Sequence, residues 1–234
     1  MIKLSTNSEG TINLDLTNKI RGKNGVLIPV SGGIDSAVLA KIASQELHKK
    51  NVQLIHFYDK TMEKRQEKNI KLLEKDLGFP IRTIDITPEL EGSKRYSALK
   101  LFSKFSLKLK KVIISTYLNV SKIKSTSDIR KSRSKIVKKY WEYNNKKNRI
   151  LSSYIHNIAK ENNLLVLSTL NHEDIENINF SAKIEKSADF QPFVNLKKKD
   201  IKRIARSMKL PIEIIKTEPT GNIIPGLMTR FITK

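Results

Sequence analysis

Apolar positions along this chain follow two different spacings. Val26 to Val30 is a continuous apolar run of a length that suits a buried strand. Val52–Tyr58, Ile81–Ile86 and Leu164–Thr169 repeat that pattern. Between these runs the spacing changes to three and four. Val38, Leu39, Ile42, Ala43 and Leu47 line one face of a helix over 37–47. Ile70, Leu72, Leu73 and Leu77 line a second, which begins near Met62 and ends at a C-cap on Gly78. A third amphipathic helix is expected around Ile150–Lys160, ahead of the fourth strand, and a fourth over 198–208, stopped by Pro211. This alternation predicts an α/β fold: an open, mostly parallel sheet with flanking helices and right-handed crossovers.

Between Ser97 and Asn145 the pattern is different. Leu99, Phe102, Phe105, Leu109, Val112 and Ile113 recur at helical spacing, followed by Ile129, Ile136, Val137 and Tyr140. Two long basic helices are expected there, a helical insertion at about 96–145, with Ser127 or Asp128 capping the second. Their apolar stripe reads as core or dimer contact rather than a cofactor box. The intervening turns are short and polar and no repeat is evident, so residues 1–234 are expected to form one domain.

The first strand-to-helix joint carries the most specific chemistry. Its sequence is Ser31-Gly32-Gly33-Ile34-Asp35-Ser36. In an open α/β sheet such a joint lies at the carboxyl end of a strand, where ligands bind. Gly32 and Gly33 let the backbone approach a ligand closely, Ser31 and Ser36 add hydroxyls, and the helix start adds unpaired amides. The loop therefore suits phosphate. It has neither the lysine of a Walker A loop nor the third glycine of a dinucleotide-binding fingerprint. At the end of the fourth strand, Thr169 offers a hydroxyl, and Glu173, Asp174 and Glu176 offer carboxylates of the kind that hold Mg²⁺ with phosphate oxygens and water. The same acids would also suit a helix N-terminus.

The Ser31–Ser36 loop resembles the pyrophosphate loop of the N-type ATP pyrophosphatases, whose members cleave ATP between the α- and β-phosphates. Further segments, in order, resemble ammonia-dependent NAD synthetase: Thr83–Leu90; Asn145 with Arg149; Ser168–Asp174; Asp189, Pro192 and Lys198; and Glu218-Pro219-Thr220. The resemblance covers most of the chain outside about 93–143, and implies an adenine nucleotide alpha hydrolase-like fold. It implies that Ser31, Gly32, Gly33, Asp35 and Ser36 hold the ATP phosphates, and that Asp35 and Asp174 share Mg²⁺. Thr169, Lys198 and Thr220 would contact the nucleotide or the developing pyrophosphate charge. Arg149, Glu185 and Asp189 would face the acceptor, a small-molecule carboxylate such as deamido-NAD or a relative. The resemblance also implies ammonia as the nitrogen donor and a homodimer. Two departures fall on the acceptor side. The family's second arginine is Leu151 here, and its glycine-containing Lys-Tyr-Gly-Asp-Gly loop is replaced by Ala182–Ser187.

Composition adjusts this picture in three places. The absence of cysteine excludes disulfides, thiolate metal sites, a cysteine nucleophile and a persulfide carrier. With no long apolar run and no signal-peptide pattern, a soluble cytoplasmic protein without membrane contact is expected. The net charge of +22 is concentrated, because residues 94–149 hold eighteen Lys and Arg against Asp128 and Glu142. That segment is either a solvated face or a surface for RNA or another polyanion.

Three functions remain open on these grounds. The first is an ATP-dependent amide synthetase that adenylates a carboxylate and amidates it with ammonia. The second is an adenylating enzyme acting on RNA or another acceptor through the basic segment. The third is a nucleotide-binding protein without turnover.

Overall fold

A computed structural model describes residues 5–6, 12–92, 94–105, 107–120, 135–172 and 188–217. Two short antiparallel strands, β1 (Ser5–Thr6) and β2 (Ile12–Asn13), precede helix α1 (Leu16–Lys19). The frame then follows as β3 (Gly25–Pro29), α2 (Ile34–Glu46), β4 (Val52–Tyr58), α3 (Lys64–Leu77) and β5 (Arg82–Asp85). Helices α4 (Thr87–Leu90), α5 (Lys94–Ser103), α6 (Leu107–Val120) and α7 (Lys135–Glu161) lead to β6 (Leu164–Val166). Helices α8 (Lys198–Ser207) and α9 (Ile212–Ile215) follow.

Strands β3 to β6 form one four-stranded sheet in the order β5-β4-β3-β6, with every pairing parallel. The chain steps outward from β3 to β4 to β5 and then returns to the other side of β3. The carboxyl ends of β3 and β6 therefore form a topological switch point, where open α/β sheets bind ligands.

Strand alternation divides the core between the two faces. Val26, Ile28, Val52 and Leu54 pack on one side with α2, with Ile70, Leu73 and Leu77 of α3, and with Ile201, Ile204 and Ala205 of α8. Leu27 and Ile55 pack on the other with Ile155, Ile158 and Ala159 of α7. Helix α2 is buried on most of its circumference because both the sheet and α8 cover it. Glu46, near its end, uses both carboxylate oxygens to accept the amides of Leu14 (2.6 Å) and Leu16 (2.9 Å), which ties the chain ahead of α1 to the frame. Gly78 closes α3 in the left-handed region, at φ 70°, as its sequence position predicts.

The α/β class and the parallel sheet are as the sequence predicts, but several boundaries move. Helix α2, expected from Ala37, starts at Ile34, so Asp35 and Ser36 belong to its first turn rather than to the loop. The third and fourth strands are shorter than expected, and Thr169 lies beyond the end of β6. The first of the two expected inserted helices is instead divided into α5 and α6, parted near Lys104–Phe105, and the second is continuous with the helix expected at 150–160. That single helix, α7, has 27 residues, so the insertion has no break at 145. Its continuity has a packing cause. Tyr143 stacks on Tyr96 of α5 in a cluster with Ile86 and Leu90, while Ile155 and Ile158 lie on the sheet. One helix thus serves two clusters. Phe105, Leu109, Val112 and Ile113 are exposed, so that part of the apolar stripe is not core of this chain. Ser127, Asp128 and Ile129 lie outside the described residues.

Two charged or titratable groups are buried at the carboxyl end of β4. Asp59 is 1% exposed and takes Lys147 of α7 at 2.5 Å on Oδ2, with the Thr61 amide (2.8 Å) and hydroxyl on Oδ1. Burial alone would raise its pKa; the charge and hydrogen bond of Lys147 and the two Thr61 bonds outweigh that and hold it below the usual range. His56 has Nδ1 2.8 Å from the Val30 carbonyl and Nε2 3.2 Å from the Met62 sulfur. The carbonyl can only accept, so Nδ1 carries a proton toward it. Burial pushes the His56 pKa down, more than the Val30 hydrogen bond raises it.

These groups give two predictions. Lys147→Met leaves Asp59 buried and unpaired, and should cost about 2–4 kcal/mol in denaturant unfolding. Asp59→Asn combined with Lys147→Met should recover much of that loss. The second concerns pH. His56 takes a proton more readily in the unfolded chain than in the fold, so its contribution is complete above the ordinary histidine pKa of about 6.5 and is lost as pH falls below it. Asp59, held low in the fold, adds a further loss only as pH falls below the ordinary carboxylate range. Melting temperature should therefore drop between pH 7.5 and 5.5, and His56→Asn should flatten that step while leaving the acidic one.

Candidate active site

Strand β3 ends at Pro29, and the Val30 amide is still paired with the Ile55 carbonyl at 2.7 Å. The chain then turns within three residues into α2. Gly32 sits at φ +76°, and a Cβ there would lie 2.8 Å from the Gln66 carbonyl oxygen. Both the left-handed backbone and the contact with α3 demand glycine. Gly33 is the N-cap of α2 and provides no capping side chain, so the first-turn amides are open to an anion.

Hydroxyls brace the turn. Ser36 Oγ donates to the Gly33 carbonyl (3.2 Å) and accepts the Ser31 amide (3.1 Å), while Ser31 Oγ accepts the Gly33 amide (3.3 Å). The two hydroxyl oxygens are 3.4 Å apart. Amides from α3 support the far side: Gln66 donates to the Ser31 carbonyl (3.4 Å) and Asn69 to the Gly32 carbonyl (2.8 Å).

Asp35 projects from the first turn of α2 and pairs with Lys198, the first residue of α8, through its Oδ2. Its Oδ1 is buried without a hydrogen-bond partner. A buried carboxylate oxygen with no donor is what a hard cation would use, and Mg²⁺ needs one or two carboxylates beside phosphate oxygens and water. Among the described residues no group of three or more His, Cys, Asp or Glu could hold a metal ion. Lys197 and Lys199 are exposed, so of the three lysines Lys198 is the one brought to the loop.

The other expected positions vary. Thr169 is half-buried three residues beyond the end of β6, after Leu167 and Ser168 have turned to pair with Phe190. Asp189 accepts the Val166 amide at 2.8 Å and so fastens the end of β6. Arg149 is exposed on α7, while Leu151 is half-buried against the Ile86–Leu90 cluster. The structure thus joins Ser31, Gly32, Gly33, Asp35, Ser36 and Lys198 in one place. Asp174, Glu185 and Thr220, with Glu173 and Glu176, lie outside the described residues.

Sequence reading missed Asn69, Gln66 and the Asp59–Lys147 pair. Asn69 had a signal: it stands four residues before Leu73 and eight before Leu77, a polar residue on the buried stripe of α3. Asp59 and Lys147 are 88 positions apart, and nothing local marks either.

Comparison with known proteins agrees with this geometry. A family model described as NAD synthase matches residues 11–98 and 92–230. The NH(3)-dependent NAD(+) synthetase of Thermotoga neapolitana is 26% identical over 229 residues, covering 96% of this chain and 78% of that protein. The enzyme of the same name from Coprothermobacter proteolyticus is 26% identical over 225 residues, covering 89% and 73%. Among solved structures, an NMN synthetase from Francisella tularensis superposes with a TM-score of 0.62 at 21% identity, covering 88% of this chain and 71% of that one. An NH3-dependent NAD synthetase from Campylobacter jejuni gives 0.60 at 20% identity, covering 86% and 72%. With the family model spanning nearly all of a chain that carries this loop at the switch point of this sheet, the protein belongs to the NAD synthase family.

Proposed function

We propose that the protein is an ATP-dependent, AMP- and pyrophosphate-forming amide synthetase of the ammonia-dependent NAD synthetase type. The observation that carries this is the meeting of the uncapped α2 N-terminus, Asp35 and Lys198 at one loop. The names of the relatives point to pyridine nucleotides as products, so the acceptor is the corresponding acid, deamido-NAD or a nucleotide carboxylate like it.

In this reading the Gly32 and Gly33 amides and the first turn of α2 hold the phosphates, and Ser31 and Ser36 keep those amides oriented. Mg²⁺ brought with ATP would be held by Asp35, with Asp174 as the expected second carboxylate, and supplies charge compensation for pyrophosphate departure. An acceptor carboxylate oxygen attacks the α-phosphorus, and the bond from that phosphorus to the bridging oxygen breaks. Lys198 meets the negative charge that develops on the pyrophosphate. Ammonia then attacks the acyl carbon of the adenylate, AMP leaves with the ester oxygen, and the surplus proton passes to solvent. Thr169 and Thr220 are assigned to the nucleotide, and Arg149, Glu185 and Asp189 to the acceptor.

Asp35→Asn should keep the fold and abolish Mg²⁺-dependent pyrophosphate release, measured with deamido-NAD and ammonium. Wild-type turnover in that variant would remove Asp35 from the cation site. Lys198→Ala should lower kcat by about a hundredfold or more, in the range for losing one donor to developing charge. Exposed Lys197, changed to alanine, should stay within a few-fold. Equal effects at both positions would overturn the assignment of Lys198.

The exposed stripe of α6 favours a homodimer. Leu109, Val112 and Ile113 are 45%, 59% and 40% exposed in one chain, yet they recur at helical spacing. We assign these helices to a two-fold interface with lysines around its rim. Opposed lysines repel less as ionic strength rises, so sedimentation over a salt series should show a dimer that holds or strengthens. If the segment instead docks RNA, affinity for RNA falls steeply with salt. A monomer at micromolar concentration under all conditions would remove the interface.

A further inference from the structure

Asn69 makes two contacts that the assigned site residues do not account for. It is 1% exposed in the middle of α3, and its Nδ2 donates both to the Gly32 carbonyl and to the Thr217 hydroxyl, each at 2.8 Å. Thr217 is itself buried, and its hydroxyl is spent as a donor on the Glu213 carbonyl at 2.8 Å, so toward Asn69 it can only accept. The carboxamide therefore has a fixed orientation, with its two N–H bonds aimed at partners 185 positions apart in sequence (Gly32 and Thr217).

The contact with Gly32 has a consequence for the loop. No peptide bond of the described chain is cis, and in a trans peptide the carbonyl and the next amide point in opposite directions. Holding the Gly32 carbonyl toward α3 turns the Gly33 amide away from it. Gln66, one turn earlier, does the same for the Ser31 carbonyl and thus for the Gly32 amide. Both amides thereby face away from α3; that of Gly33 rests on Ser31 Oγ at 3.3 Å, and a phosphate would take it over from that hydroxyl. The contact with Thr217 holds the residue three positions before Thr220, the site residue expected to reach the same nucleotide.

We propose that Asn69 is a positioning residue for ATP: it sets the phosphate-facing amides of the loop and joins them to Thr217 at the end of α9. The inference rests on the ATP site proposed above. Neither Asn69 nor Thr217 touches the reacting atoms, so both act on nucleotide affinity through the residues they hold.

The experiment measures steady-state pyrophosphate release, with KM for ATP and for deamido-NAD taken separately, and MgATP affinity by calorimetry. Thermal melting serves as the control for folding. Asn69→Ala should raise both the ATP KM and the MgATP dissociation constant by roughly tenfold, the scale of one or two buried hydrogen bonds, with the deamido-NAD KM unchanged. Thr217→Val, which keeps the shape and removes the hydroxyl, should raise the ATP KM by about threefold, and Thr217→Ser should restore it. If one amide serves both contacts, the double variant should match Asn69→Ala alone rather than the product of the two effects. A lower melting temperature with a reduced active fraction and an unchanged ATP KM would mean that Asn69 only packs α3, and would overturn the proposal. So would multiplicative effects in the double variant. Should Asn69→Ala fail to fold, the contrast between Thr217→Val and Thr217→Ser decides. A wild-type protein that binds MgATP but releases no pyrophosphate overturns the proposed function and leaves this inference to the calorimetry. A wild-type protein that does not bind MgATP overturns both.

Discussion

Gly33 brings no side chain to the N-cap of α2, and much of the surrounding structure follows from that. Ordinary helices use Ser, Thr, Asp or Asn at this position to accept an amide of the first turn. Here the hydroxyls next to the cap are committed to bracing the turn: Ser36 bonds the Gly33 carbonyl and the Ser31 amide, and Ser31 bonds the Gly33 amide. The turn is held tightly, yet the helix end stays available to an anion. Central placement of β3 makes this possible. With parallel partners on both sides, the strand is fixed along its length, and the turn inherits that rigidity.

What the sequence reveals about this molecule depends on how local each cause is. The strand, turn and helix at Gly25–Glu46 are legible because apolar runs, paired glycines and helical spacing all lie within about twenty consecutive residues. The four parallel strands are legible for the same reason. Strand ends are less so: Ile86, Leu167 and Thr169 are as apolar or β-branched as the strands they follow, but β5 and β6 end earlier. The long reach of α7 was hidden because its two halves bury against different clusters, Tyr143 with Tyr96 and Ile155 with the sheet. Read alone, each half looks like a separate helix. The loop residues and Lys198 were legible as a motif. That Asp35 pairs with Lys198, rather than with another of the many lysines, is a fact of tertiary structure.

The basic segment illustrates a limit of reading charge from composition. Lys147 counts toward the excess at 94–149, yet it lies inside the frame, neutralised by Asp59 and holding α7 to the end of β4. Leu151 shows the converse. It occupies the place of an arginine in the resembling family and packs half-buried beside Ile86 and Leu90. That helix is tied down by the Lys147–Asp59 ion pair and by apolar contacts spread from Tyr143 to Ala159.

The pairing of Asp35 with Lys198 also bears on how the two ligands of the proposed reaction depend on each other. Lys198 lies 163 positions from Asp35 in sequence, and in the fold its charge is already balanced by that carboxylate. To serve a phosphate it must be drawn from Asp35 or shared with it. Drawing it away leaves a largely enclosed carboxylate, whose Oδ1 already has no donor, in need of another cation. A phosphate arriving alone therefore breaks one ion pair to make another and gains little. A cation arriving alone must compete with a lysine held in place. Arriving together, they give both charges new partners. Each ligand then raises the affinity of the site for the other by the same factor, as linkage requires. In the proposed reading, a loop with no lysine of its own would in this way select a metal-bound nucleotide over a bare one.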